Sequence, residues 1–288
     1  MRLVAFEHAG SARLGVCEGE NVVDLTLAGP GLPGDLLAFI RGGADARSAV
    51  TMAVRAAAAS ARRPMAGLRL LPPIPRPGKI VCLGLNYVDH AAEGGHSKPE
   101  YPSFFLRCAT SLVAHGEPIM RPRCSDRLDF EAELVAVVGR TARHVAKADA
   151  HPFIAGYSCF DDASIRDYQH RTAQWSIGKN FDQTGAFGPW FVTADELPPG
   201  GAGLSIQSRL NGQVMQKANT RDMIFPVDET VQLLTECMTL EPGDLIVMGT
   251  PGGVGHTRKP PVFMKDGDVI EIEIESIGVL RNPVRDEP

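Results

Sequence analysis

Apolar and polar positions change their spacing several times along this chain, and each change marks an element. Residues 3–6 and 14–17 are short apolar runs of strand length, and Gly19, Glu20 and Asn21 form a turn into a third run at 22–25. Residues 36–41 and 46–61 read as helices. The second is Ala-rich and holds neither Gly nor Pro. The stretch LPPIPRPG follows, with Pro72, Pro73, Pro75 and Pro77, whose missing N–H groups and fixed φ forbid helix. Beyond it come strand-like runs at 79–83, 129–138, 204–210, 213–216, 245–248 and 269–275. Asn211-Gly212 joins two of them as a hairpin, because this pair supplies the positive φ angles of a type I′ turn. Residues 228–238 form the one strong helix of this half. The strands do not alternate with helices as a doubly wound sheet requires. The expected fold class is α+β and β-rich, a sandwich or rolled barrel. A small N-terminal α+β domain is expected at 1–71, a Pro-rich linker at 72–78 and the main domain at 79–288.

Composition narrows the class of protein. The chain has 288 residues, 44% hydrophobic and 22% charged, which suits a globular protein with a sizeable core. The 30 glycines and 22 prolines agree with many turns between short strands. A net charge of −5 provides no basic excess for phosphates, so no nucleic-acid partner is expected. No apolar run approaches the ~18 residues of a membrane span. Glu7 and His8 interrupt the N-terminal apolar stretch, so neither a membrane association nor a secretory signal is expected. The six cysteines are scattered without a C-x-x-C pair and read as reduced core thiols of a cytoplasmic protein.

Two E-x-E pairs carry different messages. Glu131 and Glu133 stand in DFEAELVAVVG, where both alternating faces are apolar, so the strand is expected to be buried. Carboxylates two apart share a face, and burying both costs several kcal/mol each unless something neutralises them. A divalent cation such as Mg²⁺ or Mn²⁺ would do so, and Arg or Lys pairing is the competing reading. Glu271, Glu273 and Glu275 alternate with Ile270, Ile272 and Ile274, the pattern of a strand with one wet face. A third oxygen ligand is sought at Asp161 or Asp162, which point oppositely in a strand. The pattern does not choose between them, and Asp-Ala-Ser here also resembles a helix start.

Other residues suit acid–base or anion chemistry. His90 and Glu93 are three apart, adjacent on a helical turn, so the carboxylate can orient the imidazole as a general base. Gly94 and Gly95 then allow lid motion. Lys179, in SIGKNFDQTG, reads as a surface cation or as an oxyanion contact. The GTPGGVG stretch at 249–255 lacks the Gly-Lys-Ser/Thr of a P-loop and opens no helix. It builds a turn, or else offers backbone N–H groups and the Thr250 hydroxyl to a carboxylate.

In order, KIVCLGLNYVDHAAE (79–93), DFEAELVAVVGR (129–140), AGYSCFDDASIRDYQ (155–169), GKNFD (178–182), NTRDMIF (219–225) and PGDLIVMGTPGGVG (242–255) resemble the fumarylacetoacetate hydrolase superfamily. The resemblance spans roughly residues 79–284. It implies a mixed β-sandwich roll, homodimeric, binding Mg²⁺ or Mn²⁺ through Glu131, Glu133 and Asp162. It also implies a His90–Glu93 dyad, an oxyanion-stabilising Lys179, and substrate contacts from Arg166, Gln169 and Thr250. The family often has Asn where Asp161 stands. The activity implied is hydrolysis of a C–C bond in a small-molecule acylpyruvate-type 2-oxo acid. The same site also supports decarboxylation, isomerisation or tautomerisation of 2-oxo diacids such as oxaloacetate.

Overall fold

The computed structural model describes residues 1–93 and 97–288, the side chains of Ala91 and Ala92 apart, so Gly94 and Gly95 lie outside the described residues. The protein is an α+β protein rich in strands, with mixed sheets. Its largest sheet has twelve strands, and two of its pairings are parallel: Leu245–Val247 on Ile80–Gly84, and Leu112–Val113 on Gly185–Thr193. A second sheet of five strands includes the expected hairpin, Ser205–Leu210 and Gln213–Asn219, together with Val269–Ile274 and Gly278–Asp286. Asn211 and Gly212 both take positive φ, as the Asn-Gly turn requires. The helix expected at 228–238 spans Val227–Cys237.

The Ala132–Val138 strand is buried along its whole length. Leu134, Ala136 and Val138 pack in one core with Ile206, Ile270 and Ile272 of the five-stranded sheet. Val135 and Val137 pack in another with Leu36, Phe39 and Ile80. Strands buried on both faces read as continuous apolar runs, which explains the sequence around Glu131 and Glu133. The ladder itself is shorter than 129–138. Leu128–Asp129 pairs with Ser164–Ile165, the ladder is interrupted at Phe130 and Glu131, and pairing with Ile154–Asp162 resumes at Ala132 in the same register.

The strands Arg2–His8, Ser11–Glu18 and Asn21–Asp24 extend the twelve-stranded sheet, with Arg2–His8 paired to Gly185–Thr193. A continuous ladder and a shared core therefore join the first 71 residues to the rest. The proline-rich stretch divides the chain without dividing the sheet. The two expected helices form one span, Leu36–Ala56, broken at Gly43, whose φ of 54° lies outside the helical region. The helical span ends at Ala56, five residues short of expectation, where Arg62 donates to the carbonyls of Val54 and Ala57 and so satisfies the helix end. All six cysteines are free thiols. Cys82 and Cys159 are buried, but Cys108, Cys124 and Cys237 are exposed, which corrects the expectation that most are core residues. Among the described residues no helix is long and apolar enough to cross a membrane.

Candidate active site

Strand register assembles the acidic cluster. Ala132 lies opposite Asp161, so the next residue outward, Glu131, lies opposite Asp162, and the Asp162 N–H donates to the Glu131 carbonyl at 3.0 Å. Directly opposed residues share a face. Glu133 is two residues along, on the same face. One oxygen from each of Glu131, Glu133 and Asp162 lies within 4.8 Å of the others, and all three residues are buried. Asp161 faces away. Its Oδ1 accepts the Glu131 N–H at 2.8 Å and so fixes the break in the ladder, while its buried Oδ2 has no partner among the described residues. Asp161 and Asp162 end one strand and Ser164–Ile165 form another, rather than starting a helix, which begins at Arg166.

Three cations are buried with these acids. Lys179 is 2% exposed, and its Nζ lies 2.6 Å from both Glu131 Oε2 and Asp162 Oδ2, which excludes the surface reading of this lysine. The short helix Ser176–Lys179 reaches this depth because Gly178 passes against Gln169. A Cβ there would stand 2.4 Å from the Gln169 nitrogen. Arg166 lies 2.7 Å from Glu131, donates to Asp129 at 2.8 Å, and is steadied by Gln169 Oε1 at 2.8 Å. Arg107 pairs with Asp162 and donates to Thr184 at 2.9 Å.

The carboxyl groups of Asp129, Glu131, Glu133 and Asp162 thus face the cations of Arg107, Arg166 and Lys179, with Asp161 buried behind them, five acids to three cations. Fully ionised, the acids exceed the cations by two charges. A divalent cation would restore the balance, and three convergent carboxylates are a donor set suited to Mg²⁺ or Mn²⁺. The protonation tendencies agree. Burial, then the neighbouring carboxylates of Asp162 and Glu131, push Glu133 well above the ordinary range. Burial raises Asp161 in the same direction. Burial would also raise Glu131, but the charges of Lys179 and Arg166 outweigh it and hold the group below its usual value.

The glycine-rich loop has its own role. Gly249 takes a φ of 85°, and a Cβ there would lie 2.6 Å from the Asn86 side chain. Its N–H donates to Glu133 Oε2 at 2.5 Å. Gly253 N–H donates to Glu93, and Gly255 N–H to Asp129 at 2.7 Å. These N–H groups hold the protein's own carboxylates, in keeping with the turn-building reading of the loop. The Thr250 hydroxyl donates to the Ala132 carbonyl at 3.0 Å and accepts from Gln216 at 2.8 Å.

His90 and Glu93 both lie on the helix Val88–Glu93, but their side chains part. His90 is buried at the cavity wall, and among the described residues its Nδ1 has no partner. Burial is the main cause that pulls its pKa down to about 4, so the imidazole is neutral near pH 7. Both Glu93 oxygens take the Gly253 N–H, at 2.9 and 2.8 Å. No hydrogen bond joins this pair among the described residues, and the dyad is not formed in this structure.

One cavity collects most of the expected residues. Glu131, Glu133, Arg166, Gln169 and Lys179 line it with His90, and Thr250 lies at its wall. Asp162 lies behind Lys179, and Glu93 faces a different hollow. Sequence reasoning missed Arg107, Asp129, His170 and His256. Asp129 carried a signal, since it precedes Glu131 by two in a run that breaks the apolar pattern. Arg107 carried none.

The sequence profile described as fumarylacetoacetate (FAA) hydrolase C-terminal matches residues 79–285. The chain belongs to the fumarylacetoacetate hydrolase family. It is 37% identical over 290 residues to "Oxaloacetate tautomerase Fahd2a, mitochondrial" of Rattus norvegicus, covering 99% of this chain and 91% of that one. It is 38% identical to the Xenopus laevis protein named oxaloacetate tautomerase fahd2, mitochondrial, covering 99% and 90%. A solved structure of maleylpyruvate hydrolase from Sphingobium sp. SYK-6, with manganese(II) and pyruvate, superposes with a TM-score of 0.83 at 32% identity, covering all of both chains. The chain is thus a member of an enzyme family.

Proposed function

We propose that this protein is a keto–enol tautomerase of a 2-oxo dicarboxylic acid of the oxaloacetate type. The observation that carries the proposal is the similarity to oxaloacetate tautomerases along 99% of the chain. The site geometry agrees with it. Tautomerisation moves a proton between carbon and oxygen and needs no activated water, so it does not depend on the His90–Glu93 dyad that the hydrolytic reading assigns to water activation. Among the described residues His90 and Glu93 share no hydrogen bond.

Glu131, Glu133 and Asp162 would hold Mg²⁺ or Mn²⁺, which when bound supplies positive charge against the negative charge developed in the reaction. Arg166, fixed by Asp129 and Gln169, binds a substrate carboxylate at the cavity wall. Lys179 keeps a full positive charge, because Asp162 and Glu131 outweigh the burial that would lower its pKa. Its ammonium stabilises negative charge on the substrate oxygen. His90, neutral and screened from water, holds or releases the proton of that oxygen. Phe105 and Trp175 pack edge to face at the wall and exclude water.

Hydrolysis of an acylpyruvate is the second reading, favoured by the likeness to maleylpyruvate hydrolase. The proposal keeps a homodimer, in which a second copy would cover exposed Leu106 and Ile177, whose segments are joined by the Asn180 side chain donating to the Leu106 and Ser176 carbonyls. It also keeps a cytoplasmic setting, consistent with six free thiols. The decisive assay follows ketonisation of enol-oxaloacetate with Mg²⁺ and with EDTA, alongside product analysis on acylpyruvates. Metal-dependent acceleration without CO₂ release supports the proposal. Release of pyruvate and a second acid from an acylpyruvate, with no acceleration of ketonisation, would sink it.

A further inference from the structure

Ketonisation also needs a group that exchanges the proton at C3, and the cavity holds a second imidazole better placed for it than His90. His256 follows the glycine-rich loop and lines the same cavity as Glu131 and Arg166. Its Nδ1 lies 3.1 Å from Asp129 Oδ2, and its backbone N–H donates to the same oxygen at 3.0 Å. Asp129 is fully buried and is fixed further by the Gly255 N–H at 2.7 Å and by Arg166 at 2.8 Å. A carboxylate on Nδ1 sets the tautomer, leaving the lone pair on Nε2 at the ring's far edge. The His170 ring stands 5.9 Å away, centroid to centroid. Within this site, the carboxylate-oriented imidazole is therefore His256 rather than His90.

We infer that His256, positioned by Asp129, is the acid–base group that exchanges the C3 proton of the substrate, an inference resting on the tautomerase reading above. In the keto-to-enol direction Nε2 takes a proton from C3. The C3–H pair becomes the C2=C3 bond, and the carbonyl π pair moves to the C2 oxygen, which receives the N–H proton of His90; exchange with solvent then removes the extra proton from His256 and returns one to His90. Ketonisation reverses each transfer. Atoms and electrons balance without an oxidant or co-reactant. His256 is the catalytic residue and Asp129 its positioning residue.

The test compares wild type, His256→Gln and His256→Ala with saturating Mg²⁺, reading ketonisation and deuterium incorporation at C3 in D₂O. The backbone bond from residue 256 to Asp129 survives either substitution, so the loop keeps its anchor. Both variants are expected to lose about 10²–10³-fold in kcat, the scale of a general acid–base contribution. Mn²⁺ affinity should stay within about twofold, and added imidazole should restore His256→Ala at least tenfold, by the same reasoning. An active wild type with His256→Gln at the same rate overturns the inference and leaves the tautomerase reading intact. So does a loss confined to KM, or a loss without imidazole rescue that comes with weakened Mn²⁺ binding. A wild type that does not accelerate ketonisation at all overturns both.

Discussion

The segment from Glu131 into the strand Ala132–Val138 and the strand Val269–Ile274 contain the same motif, two glutamates two residues apart, in opposite surroundings. Glu131 and Glu133 are 4% and 1% exposed. Glu271 and Glu273 have side chains 23% and 39% exposed and pair with Arg209 across the hairpin sheet. The pKa directions diverge accordingly. Burial and like charge push Glu133 up, whereas hydrogen bonds from Arg209 and Gln207 pull Glu273 down. Identical spacing therefore yields a charge-storing cluster in one place and a screened surface ladder in the other. What differs is whether the opposite face of the strand is also covered.

The comparison breaks most sharply at Lys179. Lys179→Met leaves Glu131 and Asp162 without their shared ammonium, and removing one partner of a buried pair typically costs about 3–5 kcal/mol. The metal-free variant should melt well below wild type and recover in part when Mg²⁺ is added. Its kcat should fall about 10²–10³-fold. A variant that keeps wild-type melting and activity would mean that the cluster is not charge-coupled.

Glu133→Gln is the next test. Loss of one anionic ligand should weaken Mn²⁺ binding at least about tenfold by calorimetric titration. Metal-free wild type should also lose stability with rising pH. Glu133 has a folded pKa above its unfolded one, so its contribution is complete below the unfolded value of 4.5 and is lost as pH climbs through the raised value. Glu133→Gln should flatten that slope in metal-free melts. An unchanged slope would place the titrating group elsewhere.

The surface pair sets the lower bound. Glu273→Gln should change stability by no more than about 0.5 kcal/mol and leave activity untouched. A loss of tenfold or more in kcat would show that the five-stranded sheet couples to the site, and the contrast between the two motifs would fail.

Much of this was legible from local pattern. The Asn211-Gly212 hairpin, the helix at 227–237 and the burial of residues 132–138 follow from turn chemistry and apolar periodicity, which act over a few residues. The broken ladder at Glu131 was not legible, because the Asp161 side chain, thirty residues away, causes it.

The choice of Asp162 over Asp161 divides along the same line. Their alternation is a property of any strand, so the pattern says only that no more than one of them can face Glu131 and Glu133, and the family resemblance points to Asp162. Which one depends on how two distant strands align, and only the pairing of Ala132 with Asp161 decides it. Lys179 shows the same limit. Its neighbours Gly178 and Asn180 suit a surface turn, and its burial comes from the close approach of two short helices to an acidic cluster. Residue type and period determined that this chain folds as strand-rich sheets carrying carboxylates in an apolar run. Register, loop closure and long-range charge pairing, which no local stretch encodes, decided that those carboxylates meet Lys179, Arg166 and the Asp129–His256 pair in one cavity.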